Sequence, residues 1–380
     1  MNFRLTEEQK MVKDMVHEFA EKEIKPNARK YDESGEFPWD NIRKMAQLGL
    51  MGMLIPREYG GAGTDTISYV IALEEISRAC ASTGITMAAH NSLGTMHIYM
   101  AGTEEQRQKY VPKLAKGEYI GAWGLTEPEA GSDAGSLKTK ATLKNGEWIL
   151  NGTKLFITNA HEADVITVMA VTDPDKGIKG ISAFIVEKNT PGLVMGRKED
   201  KMGLRASVTS QFFLEDCRVP KENLLGERGN GFISAMKILD AGRIGIGAMA
   251  VGIAQAAYEE ALNYAKTREQ FGKKISQFQI IQNKLVNMAT RIEAARLLVY
   301  RAAFLRDNGE KHKKEASMAK LYASETATWV TTEAIQIFGG YGYIKEYSVE
   351  RFFRDAKLCE IGEGTSEVQR LVIARELGLE

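Results

Sequence analysis

The chain has 380 residues, more than one ordinary hydrophobic core organises, and 44% of them are hydrophobic, so two or three packed regions are expected. Lys+Arg and Asp+Glu both total 50, and the resulting zero net charge argues against nucleic acid or an anionic membrane as the main partner. Cys80, Cys217 and Cys359 are odd in number and far apart, with no CxxC pair, so neither a disulfide framework nor a zinc or other metal site is indicated.

The first residues, Met-Asn-Phe-Arg-Leu-Thr-Glu-Glu-Gln, contain no apolar signal-type run, and no signal or transit peptide is visible. No stretch reads as long enough to span a bilayer, so a soluble cytoplasmic protein is expected. Residues 1 to about 115 read as helical. Thr6 to Gln9 and Thr103 to Gln106 carry the capping-box spacing, and Val70 to Ile76 continues an amphipathic pattern. Pro26, Pro38 and Pro56 divide the segment into shorter helices, and Gly60-Gly61-Ala62-Gly63 reads as a loop. Near residue 120 the character changes. Asn145-Gly146 and Asn151-Gly152 are turn signals among short strand-like runs at Glu147–Leu150, Lys154–Thr158, Val165–Val171, Ile181–Val186 and Thr209–Leu214. An antiparallel β region to about Leu225 is predicted. Beyond Gly231, residues 248–266, 276–306, 314–338 and 366–377 predict four long helices, arranged as an up-and-down bundle.

Several short motifs carry chemistry. Residues 359–370 read Cys-Glu-Ile-Gly-Glu-Gly-Thr-Ser-Glu-Val-Gln-Arg, with Glu363 between two glycines. Ser366 and Gln369 have capping-box spacing, so the carboxylate sits on a flexible turn at a helix start, a good position for proton abstraction. Taken alone, the same run also reads as a solvated acidic loop. Residues 123–135 form a Gly/Ser/Asp loop that offers N–H groups and hydroxyls to an anionic or heteroaromatic ligand, or simply an ordinary connection. Strand alternation places Phe156 and Thr158 on one face, able to stack on a flat ring and bond its edge, or to form a half-buried strand. Asp240 and Arg243 are three apart in a helical stretch, the spacing of a surface ion pair. Gly245-Ile246-Gly247-Ala248-Met249-Ala250 matches the dinucleotide string but follows a helical run and opens no βαβ unit. Small residues for close helix packing explain it better than a nicotinamide site.

Together, and in this order, these motifs resemble the acyl-CoA dehydrogenase family over essentially the whole chain. The likeness is closest to the short-chain (butyryl-CoA) branch, through LDAGRIGIGAMAVGIAQAAYEEALNYAKTREQFGK and AIQIFGGYGYIKEYSVERFFRDAK. The resemblance implies a multidomain α+β fold: an N-terminal helical domain (1–118), a middle β-barrel-like domain (119–228) and a C-terminal helical bundle (229–380). It implies non-covalent FAD, oxidation of acyl-CoA to trans-2-enoyl-CoA, a homotetramer, and an electron-transferring flavoprotein as acceptor. Glu363 matches the catalytic base. Trp123, Leu125, Thr126, Gly131, Ser132, Phe156, Ile157 and Thr158 match flavin contacts, with Phe156 where members usually carry Trp. Arg268, Phe271, Gln279, Gln336, Gly339 and Gly340 match contacts to the FAD of a neighbouring subunit. Thr365, Ser366 and Glu367 match flavin contacts at the last helix start. Ser132, Asp240, Arg243 and Gly364 match substrate contacts. Branches with the base near Asp240 have it where this chain has Gly242, which favours the straight-chain type. Many members carry Tyr before the base where this chain has Gly362, which opens the pocket to branched or cyclic acyl groups. A dicarboxylic acyl-CoA, an enoyl-CoA reductase working in a flavoprotein complex, and a non-catalytic CoA-binding scaffold are the competing readings.

Overall fold

The computed structural model describes residues 4–379. Its first part is helical: α1 (Glu7–Phe19), α2 (Ala28–Ser34), α3 (Trp39–Gln47), α4 (Thr66–Ala79), α5 (Ala81–Ala88), α6 (Met96–Ala101) and α7 (Glu104–Ala115). Both expected capping boxes are formed, at Thr6/Gln9 and Thr103/Gln106, each satisfying two N–H groups at a helix start. Between α5 and α6 the chain stays helical but widens into π-type turns over Ala89–Thr95, a local irregularity common beside functional sites.

The middle of the chain forms β1 (Gly121–Gly124), β2 (Lys140–Lys144), β3 (Glu147–Thr158), β4 (Val165–Val171), β5 (Ile181–Glu187), β6 (Leu193–Lys198), β7 (Thr209–Pro220) and β8 (Leu224–Leu225). They join in an eight-stranded sheet of order β6-β7-β3-β2-β4-β5-β8, with β1 beside β4. Most neighbours run antiparallel, but β4 pairs in parallel with β1 and β2, so the sheet is mixed. Asn145 (φ 50°) and Gly146 (φ 84°) make the two-residue turn from β2 to β3. Asn151-Gly152 makes no turn. β3 runs straight through it, because pairing with β7 continues on both sides and a register shift between Leu150 and Gly152 absorbs the irregularity. Gly152 is needed there, since a Cβ would lie 2.4 Å from Thr139 Oγ1.

The last part contains α8 (Gly231–Thr267), the small hairpin β9 (Glu269–Gln270) and β10 (Lys273–Lys274), α9 (Gln279–Asp307), α10 (Lys313–Phe338), α11 (Val349–Ala356) and α12 (Ser366–Glu376). The four long helices are present, but α8 starts at Gly231 rather than 248, and the short α11 was not expected. Among the described residues α8 alone is long and apolar enough to cross a membrane, contrary to the sequence reading. Its apolar window is 83% buried inside the fold, which marks a core helix.

The glycines of α8 explain that burial. A Cβ on Gly252 would sit 2.3 Å from Glu74 O and 3.0 Å from Arg78 N, so α4 packs directly on the helix backbone. On another face, Gly247 admits Val299 of α9 at 3.0 Å from where a Cβ would stand. The GxGxxA string is therefore a packing surface. Arg296 reinforces the junction, donating to Glu74 Oε1 (2.8 Å) and Gln255 Oε1 (2.9 Å). One core joins α1, α4 and α8 to α11, a second lies under α6, α7, β4, β5 and the start of α8, and a third lies within the sheet. The main cavity opens where these three meet.

Because the atoms facing Gly252 are backbone, they cannot yield. Gly252→Ala is expected to destabilise the protein by about 1–3 kcal/mol despite alanine's better helix propensity. A melting temperature equal to the parent's would contradict this packing account.

Candidate active site

The 359–366 turn joins α11 to α12. Glu363 has φ 53°, a left-handed conformation uncommon outside glycine, and Gly364 follows at φ 93°. Three side chains hold this conformation. Lys320 Nζ donates to Gly364 O at 2.7 Å. Gln369 Nε2 donates to the same oxygen at 2.9 Å and to Glu363 O at 3.4 Å. Ser324 Oγ donates to Cys359 O at 2.7 Å. The helix start differs in detail from the predicted capping box. Thr365 is the N-cap and accepts from Val368 N at 3.3 Å, while Ser366 is the first helical residue with its Oγ buried and unpaired. Gln369 is therefore used to grip the turn rather than to close a box.

The Glu363 side chain points from this turn towards α8. A Cβ at Gly242 would lie 2.1 Å from Glu363 Oε2 and 3.3 Å from Leu93 Cδ2. The missing side chain at 242 is thus the space the carboxylate occupies, and positions 242 and 363 address one point. Glu363 Oε2 is buried and has no hydrogen-bond partner. Burial pushes its pKa up to about 7, with the Lys320 and Arg243 cations pulling the other way. Arg243 is held by Asp240, whose Oδ1 accepts from Nη1 at 2.5 Å. Its side chain is only 6% exposed, so this is not the surface pair that the spacing alone suggests. Arg243 Nε is also buried without a partner. Two orphaned polar atoms on facing elements mark a place built for a ligand.

A cavity of about 760 Å³ opens in front of them. It brings together Trp123, Leu125, Thr126, Gly131, Ser132, Phe156, Ile157, Thr158, Arg243, Glu363, Gly364 and Thr365. On the sheet side, the loop after β1 is anchored by a buried pair: Lys154 Nζ donates to Glu127 Oε1 (2.7 Å) and Leu125 O (3.1 Å). Glu127 also accepts from the Lys138 and Thr139 N–H groups. Trp123 Nε1 donates to His97 Nδ1 at 2.9 Å, which fixes the indole. The alternation expected for Phe156 and Thr158 is broken by a register shift between Lys154 and Ile157 and by φ 59° at Phe156. All of 155–158 consequently line the cavity, and Phe156 is 61% exposed.

The other matched residues lie elsewhere. Asp240 reaches the site only through Arg243. Glu367 is exposed on the first turn of α12. Arg268, Gly339 and Gly340 line a separate surface cleft of about 450 Å³ with Tyr264 and Tyr341. Phe271, Gln279 and Gln336 are exposed, Phe271 at 93%. Sequence reasoning missed several contributors. Lys320 is a lone cation inside an Ala-rich helical run, and Lys154 faces inward from a strand. Ala89 and Leu93 come from the π-type turns. Met202, Gly203 and Leu204 line the cavity because Asp355 accepts from Leu204 N at 2.6 Å. Neither lysine carried a signal in the sequence, since the burial that marks an ammonium as partnered is decided by packing.

Comparison with known proteins bears on the family and the fold. The family models for the acyl-CoA dehydrogenase N-terminal, middle and C-terminal domains match residues 6–118, 122–217 and 229–378. The chain is 52% identical to the short-chain specific acyl-CoA dehydrogenase of Clostridium acetobutylicum, covering 99% of this chain and 100% of that one. It is 49% identical to the acryloyl-CoA reductase (NADH) of Anaerotignum propionicum, over 99% and 96% of the two chains. Among solved structures, butyryl-CoA dehydrogenase from Megasphaera elsdenii matches with a TM-score of 0.98 at 46% identity, over 99% and 100% of the chains. A chain solved in work on the electron-transferring flavoprotein of Acidaminococcus fermentans matches at 0.98 and 52%, over 99% of both. By its three matched domains, its fold and the course of its sequence, this chain belongs to the acyl-CoA dehydrogenase family.

Proposed function

We propose that this protein dehydrogenates a short-chain acyl-CoA between Cα and Cβ, giving trans-2-enoyl-CoA, with butyryl-CoA the best single substrate. The observation that carries the reading is the carboxylate of Glu363, whose Oε2 is buried without a partner and whose pKa lies near neutrality at the cavity wall. A thioester α-proton is a weak acid, and a desolvated base of this kind is suited to removing it. Glu363 takes the proton, and the apolar Leu93 lies beside the same Gly242 position. N–H groups of the Glu363–Gly364 turn hydrogen-bond the thioester oxygen in this reading and stabilise the enolate-like charge. Arg243, oriented by Asp240, and Ser132 hold the CoA portion.

The cavity fits FAD: its lining is largely apolar, with aromatic rings at Trp123 and Phe156 and hydroxyls at Thr126, Ser132 and Thr158 to meet a ring edge. Leu125, Gly131, Ile157, Thr365, Ser366 and Glu367 complete the proposed set. When bound, FAD supplies the two-electron oxidant that receives the β-hydrogen as hydride. The cleft at Arg268, Gly339 and Gly340, with Phe271, Gln279 and Gln336 nearby in sequence, is assigned to the FAD of a neighbouring subunit in a homotetramer. Exposed Phe271, Tyr343 (87%) and Ile280 (71%) support burial of that region by another copy. Electrons then pass to an electron-transferring flavoprotein. The reductase named among the relatives shares the same fold, so the physiological direction depends on the flavin potential and the partner.

Glu363→Gln is expected to keep FAD and bind acyl-CoA yet lose flavin reduction by several orders of magnitude. Unchanged reduction kinetics would refute the base assignment. In the parent, kcat/KM for flavin reduction should rise with pH through a midpoint near 7, as the carboxyl loses its proton. A profile flat between pH 5.5 and 8.5 would count against it.

The void beside the base gives a second test. Gly362 lines the cavity, its φ is not positive, and a Cβ there meets only Leu358 atoms at 3.5–3.9 Å. Position 362 therefore accepts a Cβ in ordinary contact and without backbone strain. Gly362→Tyr should lower kcat/KM for an α-branched acyl-CoA about tenfold more than for butyryl-CoA. Equal losses on both would remove the pocket argument.

A further inference from the structure

Lys320 is a fully buried cation inside α10, and the reaction assigns it no proton. Its Nζ has one hydrogen bond, to Gly364 O at 2.7 Å. That carbonyl belongs to the residue after Glu363, at the point where the backbone is left-handed. An ammonium carries three donors and is costly to bury, so a single carbonyl partner is a poor return for stability alone. We propose, on the reading that Glu363 is the base, that Lys320 is the residue that positions and charges the base: it pins the Gly364 carbonyl, so that the turn aims the carboxylate at the Gly242 void, and its positive charge keeps that carboxylate ionised in an apolar site.

The charged surroundings are limited. From α8, Arg243 acts on the carboxylate, and Asp240, which accepts from it, offsets part of its charge. From α4, the buried Tyr69 hydroxyl lies within electrostatic range. From the turn itself, Glu360, which is paired with Lys357, acts on Lys320, and the Cys359 thiol is held neutral by burial. Lys320 is thus the cation without a carboxylate partner that acts most strongly on the base. Burial pulls its own pKa down to about 8 and the Arg243 cation adds to that, while Glu363 and Glu360 oppose it. It is cationic at and below neutrality, the range in which Glu363 needs help to ionise. Removing it should raise the pH at which the base becomes active, since an opposite charge nearby favours the ionised form.

The test is anaerobic reduction of the FAD-loaded enzyme by butyryl-CoA across pH 5.5–9.5, in the parent, Lys320→Met, Lys320→Arg and Glu363→Gln. In Lys320→Met the midpoint should move up by about one pH unit, with a loss of about tenfold near pH 6.5 that closes to within about threefold above pH 9. Lys320→Arg, which keeps the donor and the charge, should hold the parent's midpoint. The carboxylic-acid infrared band that Glu363→Gln removes should titrate with the same displacement in Lys320→Met, independently of turnover. Should the Met variant not yield folded enzyme, Lys320→Gln carries the same expectation. An unmoved midpoint, whatever the amplitude of the loss, would overturn the proposal and leave Lys320 a structural residue. If Glu363→Gln reduces flavin at the parent's rate, the base assignment itself falls. If that variant is inactive and Lys320→Met keeps the midpoint, only the role of Lys320 falls.

Discussion

A carboxylate with one oxygen buried against a helix that has no side chain to meet it is the constraint on which the site depends. Glu363 Oε2 occupies the space that any side chain at Gly242 would claim, and finds no hydrogen bond there. Ionising a group in such a place is unfavourable, and the cost is what moves its pKa towards neutrality. The remainder of the fold can be understood as holding that arrangement. α8 must pass close, which its glycines allow. α10 must bring Lys320 beneath the turn. α12 must start at Ser366, so that Gln369 can reach back to the Glu363 and Gly364 carbonyls.

The opposing wall is built with different means but the same economy. The loop after β1 would be free to move were it not tied by Lys154 and Glu127, a buried ion pair that also satisfies two backbone N–H groups. Trp123 is fixed through His97, whose ring is buried and whose pKa burial pulls down to about 4. A neutral imidazole that accepts from an indole N–H at Nδ1 carries its own proton at Nε2, beside Ser234 Oγ at 2.9 Å. His97 thus adds no charge to the wall at neutral pH, and Lys154 and Glu127 offset one another, which suits a flat aromatic ligand lying against it.

Much of this was legible in the sequence, for identifiable reasons. Glu363 stood out because two glycines flank it before a helical pattern, and the Asn145-Gly146 turn because its chemistry is local. The helices of the last third followed from long Ala/Leu runs with few breakers. What failed was decided by partners distant in sequence. Asn151-Gly152 looks like a second turn, yet ladder pairing on β7 carries the strand through it. Phe156 and Thr158 were expected to share a face by alternation, and a bulge set by the neighbouring strand altered that. Thr365, one residue before the predicted cap, won because its hydroxyl meets Val368 N. Lys154 and Lys320 were invisible as site residues, since nothing in a single strand or helix says that a lysine points inward. Gly242 was read correctly as unable to serve as base, but its positive role, making room for Glu363, needs both segments in one frame.

The central claim is that the protein holds a base and an oxidant on either side of an acyl-CoA Cα–Cβ bond. Anaerobic mixing of the purified protein with a panel of saturated acyl-CoAs, followed by visible flavin absorption, tests it most directly. The account predicts a yellow protein bleached rapidly by butyryl-CoA or a close short-chain relative. A colourless protein, or a yellow one that no saturated acyl-CoA bleaches, would contradict it.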